Sequence, residues 1–166
     1  TPATAAVYPG TCLFEATALS EGRGTTQPFQ LLGAPEIDHG WAEALGEASL
    51  PGARLREAYF KPTFAKWTGE VCGGVELQVA DPREFDPIRT ALTMIIAQRE
   101  HFGQYGWRDQ DGEGSYWLDK LTGNRAVRLA IEDGADAEET ASVWAEDLAA
   151  FAALREEHLI YRRRGW

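Results

Sequence analysis

The chain has 166 residues, 44% hydrophobic and 25% charged, which is enough to bury a core without disulfide or metal staples and too balanced for a disordered or fibrous chain. Its 26 acidic residues against 16 basic ones give a formal net charge of −10, a field that repels phosphate backbones and anionic headgroups and argues against nucleic acid as a partner. No apolar run approaches the roughly 20 residues of a membrane-spanning helix, and no basic-then-apolar leader opens the chain.

Residues 1–35 carry Pro9, Gly10, Gly22, Gly24, Pro28, Gly33 and Pro35 amid Ser and Thr, so a Gly/Pro-rich loop region without a long helix is expected. Within it, Cys12-Leu13-Phe14 reads as a short buried strand, after which Ser20 to Phe29 follows at a strand end. A short helix is predicted over Gly40–Ala48, stopped by Pro51-Gly52, with an extended segment over Arg54–Phe60 that places Leu55, Glu57 and Tyr59 on one face. Val75, Leu77 and Val79 alternate with Glu76 and Gln78, the period-two pattern of a strand with one buried face.

Asp86-Pro87 supplies an N-cap and a favoured first helical residue, and Ile88, Leu92, Ile95, Ile96 and Phe102 recur at helical spacing, as for a helix facing a sheet. Tyr116 to Asp133 reads as a shorter helical segment broken at Leu121-Thr122-Gly123. A second long helix is predicted from Asp136, capped with Glu139 three residues on, its apolar stripe running through Trp144, Leu148, Phe151 and Leu159. Arg162-Arg163-Arg164 reads as a solvated tail. Strands precede helices without βαβ alternation, so the expected class is α+β: a small mixed or antiparallel sheet against two long amphipathic helices, in one domain over residues 1–166. The only methionine is Met94, so a chain opening at Thr1 is expected to be a piece of a longer translation product.

Cys12 and Cys72 lie too far apart for a zinc knuckle or a CxxC motif, and either a disulfide or two buried thiols fits them. His39, His101 and His158 are widely spaced and read as surface residues, and no HExxH or serine-hydrolase elbow occurs, so neither a metal nor a cofactor is expected. The densest chemistry lies in Glu15 and in Glu21-Gly22-Arg23-Gly24-Thr25-Thr26, where two carboxylates, a guanidinium and hydroxyls share a glycine-punctuated loop. Glycines on both sides of Arg23 let its fork project toward a carboxylate, although Glu21 and Arg23 satisfying one another as a structural knot fits the same residues. Tyr59-Phe60-Lys61-Pro62-Thr63-Phe64-Ala65-Lys66-Trp67 reads either as a sugar-stacking wall with cationic donors or as a satellite core.

The run from Tyr8-Pro9-Gly10-Thr11-Cys12-Leu13-Phe14-Glu15 through Leu19-Ser20-Glu21-Gly22-Arg23-Gly24-Thr25-Thr26 to Pro28-Phe29 resembles the signature of the exo-β-N-acetylmuramidase family of the NamZ type. Gly33-Ala34-Pro35, Tyr59-Phe60 with Pro62-Thr63-Phe64 and Lys66, Cys72-Gly73-Gly74-Val75, Asp119 with Leu121-Thr122-Gly123, and Trp144 through Phe151 to Tyr161 extend the resemblance over nearly the whole chain. The resemblance implies the smaller carboxy-terminal α+β domain of a two-domain glycoside hydrolase that releases N-acetylmuramic acid from the non-reducing end of peptidoglycan fragments, in a periplasmic or extracellular setting. Its implied partners are an amino-terminal Rossmann-like domain and a muramic-acid-containing saccharide bound in the cleft between the domains.

Glycoside hydrolysis uses two carboxyl groups across the scissile bond. The resemblance puts those mainly in the amino-terminal part, with Glu21 and Glu15 the candidates on this side. For substrate binding it implies Arg23 opposite the lactyl carboxylate, with Glu15, Glu21, Thr25, Thr26, Tyr59 and Lys66 around the sugar. The alternatives are a non-catalytic module that binds peptidoglycan fragments and a structural lid domain. Where the family has Gly-Thr-Asn after the first glutamate this chain has Ala16-Thr17-Ala18, so any role of that Asn side chain is absent here.

Overall fold

In the computed structural model, which describes residues 1–103, 106–109, 112 and 114–161, the chain opens with a helix, α1 (Pro2–Thr11), where a loop was expected. Thr1 caps it by accepting from Thr4 N at 3.1 Å, Pro2 stands at a favoured first position, and alanines fill the first turns. Pro9 is tolerated because the carbonyl it leaves without an N–H partner, that of Ala5, lies on the exposed side of the last turns. Gly10 faces inward, and a Cβ there would fall 1.8 Å from the Pro87 carbonyl oxygen. The following Cys12–Ala16 segment is a 3-10 turn rather than the expected strand, and it buries Leu13, Phe14 and Ala16.

Three strands form an antiparallel sheet in the order β1-β3-β2: β1 (Leu31–Ala34), β2 (Ala53–Phe60) and β3 (Cys72–Val79). Between β1 and β2 lies α2 (His39–Glu47), capped by Asp38. Sequence periodicity predicted β2 and β3 but not β1, which is four residues long and buried throughout, so it carries no alternation. The central position of β3 also corrects its expected single buried face, since Cys72 to Leu77 are all buried. Val75 and Leu77 join Leu32, Trp41, Leu45, Phe14 and Leu92 in the main core. Leu31, Ala58, Phe60 and Cys72 form a smaller cluster on the opposite face, partly covered by Trp67. Both cysteines are free thiols, and burial pushes Cys72 up to about 11.

Helix α3 (Pro87–His101) begins at the predicted Asp86 cap, whose carboxylate accepts from Ile88 N and Arg89 N. It packs among α1, α2 and α6 instead of lying directly on the sheet, and its buried residues, Leu92, Met94 and Ile95 among them, enter the same main core. Two short helices, α4 (Trp117–Thr122) and α5 (Ala126–Glu132), are separated by Gly123 in a left-handed conformation, φ 81°. The capping box of Asp136 and Glu139 is formed, yet the second long helix is not. It breaks into α6 (Ala137–Ser142) and α7 (Ala145–Arg155) around Val143-Trp144, where the backbone bonds tighten to three-residue steps and the Trp144 indole donates to Thr122 O. Helix α7 buries nothing, and Leu148, Phe151 and Leu154 are exposed, so of the two long amphipathic helices expected against the sheet only α3 forms as a long helix, and it packs mainly on other helices. The Arg162 to Arg164 cluster lies outside the described residues.

On the second face of the sheet, Glu76 is buried and accepts from Gln78 Nε2 at 2.7 Å and Gln27 Nε2 at 3.1 Å, while Arg56, its cross-strand partner, pairs with the other oxygen. Burial pushes this carboxyl up, and the two amides with the guanidinium more than reverse the effect, holding it below its ordinary 4.5. Its folded value is thus depressed, so the stability it contributes is complete above the unfolded value and is lost as pH falls through the folded one. Unfolding free energy is expected to decline from about pH 5 toward pH 3, less steeply in Glu76→Gln. Denaturant titrations at several pH values measure this, and an unchanged slope in the variant would assign acid sensitivity to other groups.

Candidate functional site

Three segments meet around a groove of about 640 Å³: the 3-10 turn with the following Thr17 to Arg23, the β2–β3 connection around Lys66, and Arg108. The first segment is tied to the sheet by Ser20, whose N and O pair with Gly33 O at 2.7 Å and Gly33 N at 3.1 Å. The loop then closes through Phe29 N to Glu21 O at 2.6 Å. Gly22 and Gly24 adopt φ 74° and 84°, where L side chains are strained. A Cβ on Gly24 would also lie 2.7 Å from both N and O of Phe64. The bare Gly24 backbone instead accepts from Thr63 N at 3.0 Å and Thr63 Oγ1 at 2.9 Å, drawing the β2–β3 connection onto the loop.

That contact delivers Lys66. Its Nζ donates to Phe14 O at 3.0 Å, Leu19 O at 2.8 Å and Glu21 Oε2 at 2.9 Å, so all three ammonium hydrogens have acceptors. Burial pulls the ammonium below its ordinary value despite Glu21, and the nearby charge of Arg108 acts in the same direction. Ala65 and Trp67, on either side of Lys66, both hold positive φ (70° and 58°), a conformation that costs about 1–3 kcal/mol per non-glycine residue and persists only where the surroundings enforce it. Here the enforcement is visible: besides the Lys66 bonds, Trp67 Nε1 donates to Ala18 O at 2.8 Å and Gly69 N to Pro62 O at 2.8 Å.

Glu21 is buried, and its other oxygen forms an ion pair with Arg23 Nε at 3.1 Å. With a cation on each oxygen, Glu21 anchors the groove wall. Arg23 Nη2 donates to Glu15 Oε1 at 2.8 Å, and the guanidinium lies 4.9 Å from the Phe29 ring centroid. Hydrogen bonding to Glu15 outweighs partial burial and raises Arg23 further. One edge of the Arg23 fork, Nε with Nη2, is thus held by two carboxylates, while the Nη1 end has no partner among the described residues on a side chain 43% exposed. Glu15, 21% exposed, keeps Oε2 unengaged among the described residues.

Of the residues singled out from sequence, Glu15, Glu21, Arg23 and Lys66 are brought together, and the mutual satisfaction of Glu21 and Arg23 is real. Thr25 serves the loop, its Oγ1 donating to Gly22 O at 2.6 Å, and Thr26 is exposed outside the groove lining. Tyr59 also stands outside it, exposed on β2 with its hydroxyl donating to Glu57 Oε1 at 2.6 Å. The aromatic run divides: Phe60 enters the second core cluster, Phe64 is exposed, and Trp67 lines the groove. Arg108 was not anticipated, and no local motif marks it; Arg108 N donates to Ala16 O at 2.7 Å, which lays this distant segment against the groove. Among the described residues no three His, Cys, Asp or Glu side chains gather closely enough to hold a metal ion, and no helix is long and apolar enough to cross a membrane.

Residues 6–161 match the family described as Exo-beta-N-acetylmuramidase NamZ, C-terminal. The chain belongs to this family. It is 39% identical over 156 residues to Peptidoglycan beta-N-acetylmuramidase NamZ of Bacillus subtilis (strain 168), a match that covers 93% of this chain and 37% of that protein. The chain therefore spans little more than a third of the length of this curated relative. Crystal structures of two DUF1343 family proteins from Bacteroides fragilis NCTC 9343 share the fold. One superposes with a TM-score of 0.81 at 20% identity over 95% of this chain and 42% of its own, and the other with 0.66 at 22% over 96% and 41%.

Within this NamZ-type chain the scattered sequence pieces become neighbours. Gly33 pairs with Gly74 and Ala34 with Gly73, so two motifs some forty residues apart form one strand crossing. Asp119 holds Arg128 in a two-point pair at 2.8 and 3.0 Å; Glu132 takes the remaining nitrogen, and Tyr116 stacks 4.1 Å below. This second charge cluster is fully paired within itself and joins α4 to α5, a packing role.

Proposed function

We propose that residues 1–166 act as one domain, the carboxy-terminal part of an exo-β-N-acetylmuramidase, and that its groove forms one wall of the saccharide site. Family membership supports the reaction class, and the relative's extra length supports an amino-terminal part that supplies the other wall and the cleaving carboxyl groups. The observation that carries the reading is the set of Glu15, Glu21, Arg23 and Lys66 on a groove of about 640 Å³, within the size range of small-ligand sites. In this arrangement Glu21 and Lys66 fix the wall, Glu15 offers its unengaged oxygen to sugar hydroxyls, Arg23 its clear end to sugar oxygens, and Trp67 an apolar side.

The saturated bonding of Glu21 and Lys66 also supports a purely buttressing loop, and one pair of variants separates the two readings. In the intact two-part protein, Arg23→Ala and Glu15→Gln are expected to reduce release of N-acetylmuramic acid from the non-reducing end of a disaccharide by about 100-fold or more while the variants stay folded. Full activity with reduced thermal stability would establish the buttress instead.

A further inference from the structure

The groove contains five charged side chains, Glu15, Glu21, Arg23, Lys66 and Arg108. The first four compensate one another: Arg23 forms ion pairs with both glutamates, Lys66 with Glu21, and two positive charges meet two negative ones. Arg108 remains. Among the described residues no carboxylate lies within ion-pair distance of it, and its guanidinium sits only loosely over the Trp117 ring, 5.6 Å from the centroid. In a chain of net charge −10, this groove carries one positive charge that no described carboxylate pairs with.

We propose that Arg108 is the specificity-determining residue of the groove, binding the carboxylate of an acidic sugar, while Arg23 orders Glu15 and Glu21 and meets only neutral sugar oxygens. This rests on the saccharide reading above and refines it. A carboxylate docking on the clear end of Arg23 would enter the field of two glutamates whose oxygens are already 2.8 and 3.1 Å from that guanidinium, so attraction and repulsion nearly cancel. At Arg108 the same carboxylate meets a cation that no carboxylate of the described residues pairs with, and it relieves the repulsion between Arg108 and the half-buried Lys66. The backbone of Arg108 is fixed for this role. Its N donates to Ala16 O at 2.7 Å, its O accepts from Trp117 N at 3.1 Å, and the adjoining Trp107 bridges to Thr17, a residue that itself lines the groove. Trp67, tethered through its indole N–H to Ala18 O, closes the apolar side on which a sugar ring would rest.

N-acetylmuramic acid and N-acetylglucosamine differ only in the acidic lactyl ether, so their affinity ratio isolates carboxylate recognition. Calorimetric titration of the intact two-part protein with each sugar is expected to show the acidic sugar binding about tenfold tighter or more. Arg108→Gln is expected to erase that ratio with little effect on N-acetylglucosamine, and Arg108→Lys to restore part of it. Because Arg108 is exposed, the thermal midpoint of both variants should match the parent. A ratio that survives Arg108→Gln, or that disappears in Arg23→Gln alone, would overturn the assignment while leaving the saccharide reading intact. Absence of binding by either sugar would overturn both.

Discussion

Lys66→Met is expected to lower the unfolding free energy by about 3 kcal/mol and to collapse the groove. The thioether has similar length but donates nothing, so the carbonyls of Phe14 and Leu19 and one oxygen of the buried Glu21 lose their donor together. Removing one member of a buried charge pair typically costs about 3–5 kcal/mol, because the remaining charge is left uncompensated. Two features set the value at the lower end. Arg23 still holds the other oxygen of Glu21, and burial already disfavours the Lys66 ammonium, so part of the penalty disappears with it. The positive-φ residues Ala65 and Trp67 would then lose the anchor between them, and the turn is expected to relax away from Ala18. Denaturant unfolding gives the energy, and amide shifts for residues 63–69 report the relaxation. A loss under about 1 kcal/mol would show that water replaces the lysine in all three bonds.

Gly33→Ala should be comparably damaging, for a steric reason. A Cβ at Gly33 would sit 2.0 Å from Gly73 O and 2.9 Å from Gly73 C, both backbone atoms of the central strand, so no side-chain rotation relieves the overlap. β1 must move off β3, and overpacking of this kind costs about 1–3 kcal/mol, here at the upper end because backbone is displaced. For a chain of this length that corresponds to a drop of about 10 °C in thermal midpoint. The displacement also reaches the site, since Gly33 holds Ser20 through both of its backbone groups and Glu21 follows directly. Saccharide affinity should therefore fall together with stability. An unchanged midpoint would mean that β1 lifts away without loss, and that the glycine serves no close approach.

Short-range signals in the sequence were accurate wherever their physics is short-range. The Asp86 cap with Pro87, the Asp136–Glu139 capping box, the break at Leu121-Thr122-Gly123 and the strands ending at Phe60 and Val79 all appear as read, because each depends on dihedral preferences and hydrogen bonds within a few residues. The same locality misled at the amino terminus. Counting turn formers concealed α1, because a proline in a last turn harms only the carbonyl beneath it, and here that carbonyl faces out. It misled again in α7, where apolar residues at helical spacing promise a buried face only if another element arrives to cover it, and none does among the described residues.

Legible in the residue order alone were the α+β class, the family, and the gathering of Glu15, Glu21, Arg23 and Gly24 in one loop. Hidden until the chain is folded were the completion of that loop by Lys66 from 45 residues away, the place of Tyr59 outside the groove, the ion pairs of Arg23 with both glutamates, and the entry of Arg108 through the Ala16 carbonyl. The reason is physical. Residue types fix which charges a chain owns, but whether a charge is paired or open depends on which distant backbone approaches it, and those approaches are set by the packing of the whole core.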